Sequence, residues 1–145
     1  MTNKQIAVIR QIKAVLKADS TFKYVGEYPD NVKNIGQNYP CVLVGEGDEE
    51  ITTNSGRRTT DFMDISVWLY SDVAVSRINN ILEYQSKIMD LVLDDQSLAE
   101  TCVQIEPVGV EKGDYAPDID LYNPGYYEPV TVRKINFTVR IDDVR

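Results

Sequence analysis

The chain has 145 residues, 43% of them apolar and 26% charged, with a net charge of −8 and no histidine. That length fits a single domain over 1–145 and buries enough surface to need no disulfide or metal staple. The composition excludes the disordered and fibrous classes. Apolar runs such as Cys41-Val42-Leu43-Val44 fall far short of the ~20 residues of a membrane span, and the acidic balance argues against a protein that grips phosphate backbones.

The first residues, Thr2, Asn3, Lys4 and Gln5, pass directly into a helical pattern with no apolar core and cleavage site of a signal peptide. A protein made and kept in a cytosol is expected. From Asn3 to Ala18, Ile6, Val8, Ile9, Ile12, Val15 and Leu16 recur at spacings of three and four, which predicts an amphipathic helix ended by Asp19-Ser20. A short extended piece, Tyr24 to Tyr28, precedes Pro29, which disfavours helix at that point. Asp30 to Tyr39 reads as loop, and Pro40 opens a buried strand from Cys41 to Gly45. The stretch Glu46 to Arg58, acidic at its start and basic at its end, reads as a long hairpin with a solvated tip.

Two strands alternate clearly. Met63, Ile65, Val67 and Leu69 point one way, and Phe62, Asp64, Ser66, Trp68 and Tyr70 the other. Ile135, Phe137, Val139 and Ile141 likewise share one side, opposite Lys134, Asn136, Thr138, Arg140 and Asp142. A packed face and a wet face are expected. Between them Val73 to Leu93 predicts a second helix, with a stripe of Ile78, Ile81, Leu82, Gln85, Ile88, Met89 and Val92. Thr101 to Glu111 reads as a strand whose Pro107 implies an edge or a bulge. Gly113 to Pro129 reads as a long loop with three of the six prolines and four of the nine tyrosines. The order lacks regular βαβ alternation. The fold class expected is α+β, a mostly antiparallel sheet of four or five strands with two helices packed on one face.

The residues offer little chemistry. Without histidine there is no Ser-His-Asp or Cys-His arrangement and no His-ligated metal. Cys41 and Cys102 each sit in a strand-like run and are expected as buried, reduced thiols on neighbouring strands. Gly45-Glu46-Gly47 lacks the third glycine and following helix of a phosphate loop. Asp114, Asp118, Asp120 and Glu128 share a loop, but counting from Asp118 places Asn123 where an EF-hand needs glycine and Pro129 where it needs the bidentate glutamate. A solvated acidic loop is the reading there. Neither enzyme activity, nor a metal, nor a cofactor is expected. A pair of carboxylates close in space but not in sequence is a catalytic option left open.

Tyr115, Tyr122, Tyr126 and Tyr127 make the Gly113–Pro129 loop a candidate contact surface, because tyrosine adds interface area at small entropy cost. A lid folded over the chain's own sheet is the alternative. Glu49 and Glu50 at one end of the Glu46–Arg58 hairpin, and Arg57 and Arg58 at the other, are candidates for pairing between subunits.

The succession of a short amphipathic helix, Val25-Gly26-Glu27-Tyr28-Pro29, the Tyr39-Pro40-Cys41-Val42-Leu43-Val44 strand, an acidic–basic hairpin, the Thr60–Tyr70 strand, a helix ending near Leu93-Asp94-Asp95 and a Val132–Asp142 strand resembles the tail terminator (tail completion) proteins of long-tailed bacteriophages. It covers most of the chain, the Gly113–Pro129 loop excepted. The resemblance implies a structural virion protein in the tail or neck, assembled in the host cytoplasm. Its partners would be copies of itself in a hexameric ring, the tail tube protein and the head connector protein. DNA would pass an acidic lumen without specific binding, and no membrane is involved. Other readings are a different head–tail connector protein, a small acidic binding module unrelated to phage, and a divalent-metal enzyme using the loop carboxylates.

Overall fold

The structure is a computed structural model and describes residues 4–28, 40–53, 56, 58–72, 77–115 and 130–144. In chain order these form α1 (Lys4–Lys17), β1 (Tyr24–Glu27), β2 (Cys41–Thr53), β3 (Arg58–Asp72), α2 (Arg77–Leu93), β4 (Gln104–Tyr115) and β5 (Val130–Val144). The five strands make one sheet in the order β1-β2-β3-β5-β4. The class is α+β, and the sheet is mixed. β2–β3, β3–β5 and β4–β5 pair antiparallel, whereas β1 lies parallel to β2, Tyr24 opposite Cys41 and Glu27 opposite Val44. Four residues carry too little periodicity to reveal a pairing direction, so this parallel edge was not legible from the sequence.

Alternation in the two long strands is met. Met63, Ile65, Val67 and Leu69 of β3 are fully buried, as are Ile135, Phe137 and Val139 of β5, with Ile141 nearly so. They form one hydrophobic cluster with Val42 and Val44 of β2, Val8, Ile12 and Leu16 of α1, and Ile81, Ile88 and Val92 of α2. Spacings of four in α1, and of seven and four in α2, return side chains to one helical face. The stripes are narrower than the sequence suggests: Ile6 and Leu82 are exposed. Phe22 meets Tyr84 edge to face at 6.3 Å, and Lys87 bridges to Asp19 at 3.1 Å. Together these tie the turn after α1 to α2. Asp19 also accepts the Thr21 amide. Hydrogen bonds from Thr21, then Lys87, lower its pKa to about 2.

The opposite face is not simply wet. Cys41, Leu43 and Tyr70 are buried there with Tyr24, Trp68 and Val132 against them, and Tyr28 folds back to stack on Trp68 with ring centroids 3.9 Å apart. Gly45 lies under that stack. A Cβ there would come within 2.9 Å of the Trp68 ring and 3.0 Å of the Tyr28 Cβ. Farther along, Ser66 donates to Asn136 (2.6 Å), Asn136 to Glu111 (3.0 Å) and Thr138 to Asp64 (3.0 Å). Lys134 bridges to Glu111 at 3.4 Å and sits 5.3 Å from the centre of the Trp68 ring.

β4 differs from expectation at both ends, since it starts at Gln104 and not at Thr101. β4 continues to Tyr115, so the loop expected from Gly113 begins later. Pro107 marks both an edge strand and a register irregularity that throws Val108 out, 65% exposed. Between α2 and β4, Leu98, Ala99 and Glu100 all have positive φ (46°, 55° and 66°). This left-handed turn is held by Asp95, which accepts the amides of Ser97 and Ala99 and the Ser97 hydroxyl. Those bonds, Ala99 foremost, hold the Asp95 carboxyl below its ordinary range. Cys102 lies in the segment leading from that turn to β4 and not in a strand, and neither it nor Cys41 forms a disulfide. β3 and β5 separate β4 from β2, so the two cysteines are not on neighbouring strands.

Candidate functional site

β2 changes character halfway. Cys41 to Gly45 are all buried, and Glu46 to Thr53 are all exposed. The cause is the length of β1. Its last pairing is Glu27 with Val44, and the Tyr28 amide makes a final bond to the Val44 carbonyl at 2.9 Å. Beyond that point β2 has only β3 as a described neighbour, so its outer half is a sheet edge. Edges are commonly protected by charge and by bulges. This one carries Glu46, Asp48, Glu49 and Glu50 and a register shift between Glu46 and Glu49.

The shift separates two candidates that stand side by side in the sequence. Glu49 comes opposite Met63, which faces the main core, and Glu50 comes opposite Phe62, on the other face. Arg58 opens β3, exposed, opposite Val144. Tyr115 ends β4, with its side chain outside the described residues. Arg57, Tyr122, Tyr126 and Tyr127 also lie outside them, as do Asp118, Asp120 and Glu128. The described structure therefore places Glu49, Glu50 and Arg58 on one hairpin and brings no two of them together.

Glu49 has other company. It lines a cleft of about 550 Å³ between the start of α1 (Gln5, Ile6, Ile9), the end of β1 (Glu27, Tyr28) and β2 (Val44, Gly45, Glu46). Behind it stands Asp61 of β3, 2% exposed, which accepts the Gln5 amide at Oδ2 (2.9 Å). Asp61 Oδ1 is buried and has no hydrogen-bond donor among the described residues. The Glu49 carboxyl supplies one when it is protonated. Burial, then the Asp61 charge and hydrogen bond, then Glu46 push the Glu49 carboxyl above its usual range, while Gln5 opposes the shift. Glu27, at the cleft wall, is bridged by Lys13 at 3.0 Å. Among the described residues no group of three or more Cys, Asp or Glu side chains is arranged to hold a metal ion.

Asp61, Gln5 and Glu46 were missed in the sequence. A signal for Asp61 was present: it has the same parity as Met63, Ile65, Val67 and Leu69, so a charge was due on the buried face. Gln5 and Glu46 carry no such mark.

No helix among the described residues is long and apolar enough to cross a membrane. No protein-family model and no curated protein matches the chain. Among solved structures, the chain is similar to a component of the virion of a native gene transfer agent particle. The identity is 13% and the TM-score 0.37, over 95% of this chain and 98% of that one.

Proposed function

We propose that the protein is a structural virion component of the tail or neck, a tail terminator whose copies form a hexameric ring that caps the tail tube and meets the head connector. The observation that carries this reading is the outer half of β2, an exposed and acidic sheet edge ending in the basic start of β3. Its charges and bulge blunt addition of another strand, but its acidic and basic parts can pair side chain to side chain with a second copy, and such a contact between unlike patches of identical subunits generates a ring when the rotation closes. The order of elements, which resembles the tail terminator family, supports the specific role.

In this reading both helices cover one face of the sheet, leaving the hairpin and the Gly113–Pro129 loop for partners. The net charge of −8 lines a conduit past which DNA slides without being held. The side chains bind and position partners and perform no covalent chemistry. The test is assembly on tails: purified protein added to particles lacking their terminator should cap tubes of uniform length, seen by electron microscopy. Tubes that continue to grow in its presence would overturn the terminator role.

A further inference from the structure

We infer that the cleft between α1, the end of β1 and the outer half of β2 is a socket for the Arg58 guanidinium of a second copy of this chain, so that copies join head to tail through their hairpins. The inference rests on the self-assembly proposed above and names the contact that makes it.

Three observations carry it. Glu46 and Glu49 line the cleft and Asp61 stands behind Glu49, with no cation bridged to any of the three among the described residues; Asp61 is almost fully buried, and its Oδ1 has no donor there other than a protonated Glu49. Ile6 and Ile9 of α1 also line the cleft, which suits the apolar stem of an arginine. Arg58 itself is exposed and makes no described ion pair. It stands five positions along β3 from Met63, the partner of Glu49, roughly 17 Å at the rise of a strand. An arginine side chain does not span that distance, so a subunit cannot fill its own socket. A neighbour can, and each copy then offers one arginine and one socket. That is a heterologous contact, the kind that generates rings.

A guanidinium entering the socket replaces the proton of Glu49 and donates to the Glu49 and Asp61 carboxylates in charge-assisted pairs. Association therefore releases a proton and tightens as pH rises through the range in which Glu49 ionises. The groups facing Glu49 are Asp61 on β3, Glu46 on β2, Gln5 on α1, and Glu27 on β1 with its partner Lys13. None of these is a cation free to compete.

The experiment is sedimentation of the full chain at several concentrations, with thermal unfolding as a control for folding. Arg58→Glu and Glu49→Arg should each weaken self-association about tenfold or more, the scale of a close interfacial charge pair. The double variant carrying both changes should restore it. Glu49→Gln with Asp61→Asn should weaken association without reversing charge, and should abolish its pH dependence. If the wild-type chain associates but Arg58→Glu associates equally well, the socket is refuted and the ring reading stands. If both single variants weaken association but the double variant is no better, Arg58 and Glu49 are not partners and the socket is likewise refuted. If the wild-type chain stays monomeric alone and on tails, both ideas fall together.

Discussion

The two halves of β2 are built on one strand and one partner, yet they do opposite work. Cys41 to Gly45 sit between β1 and β3, with side chains buried on both faces of the sheet. Glu46 to Thr53 run along the same β3 with no described neighbour on the other side, and every residue is exposed. Hydrogen bonding to β3 is common to both, so the ladder alone does not decide burial. What decides it is whether β1 is alongside, and β1 is only four residues long. Burial and exposure thus divide at Gly45, which lies under the Tyr28–Trp68 stack.

That division can be tested on both sides. The largest effect is expected in the inner region. Ile65→Ala removes a fully buried side chain from the centre of the main cluster and should cost about 2–5 kcal/mol, read as a lower denaturation midpoint in urea. An intermediate effect is expected from pH at the boundary. Glu49 has a pKa raised in the folded chain, so the folded state binds more protons than the unfolded one above the ordinary value of 4.5. Stability should therefore fall as pH rises from 4.5 through the elevated folded value. Glu49→Gln should remove that slope, and an unchanged slope in the variant would show that another group is responsible. The smallest effect belongs to the outer region. Ile51 is 49% exposed, and Ile51→Thr should shift the stability of the isolated subunit by no more than about 0.5 kcal/mol. A loss of several kcal/mol would mean that the outer half belongs to the core after all.

Legibility followed the range of the interaction. The helical stripes around Val8, Ile12 and Leu16 and around Ile81, Ile88 and Val92 could be read directly, as could the alternation of β3 and β5, because side-chain direction repeats with a local period. Pro107 declared an edge because proline cannot serve a central ladder. The left-handed turn at Leu98-Ala99-Glu100 left no trace, since none of these residues is a glycine or asparagine and the conformation is imposed by Asp95 from outside. Of the candidate site, Glu49 and Arg58 were named from the sequence, but their separation on the hairpin, the opposite facing of Glu50 and the presence of Asp61 behind Glu49 were not.

Composition and periodicity by themselves determined an acidic α+β chain with two amphipathic helices, long alternating strands and no histidine chemistry. Those properties depend only on residue type and on neighbours within a turn or a pleat. Tertiary structure alone decided that β1 pairs parallel to β2, that a register shift between Glu46 and Glu49 turns Glu49 toward α1, and that Gln5 and Asp61 meet it there. These are contacts between residues 12 to 56 positions apart, and a chain's local pattern carries no information about which distant segment will stop short and leave an edge exposed.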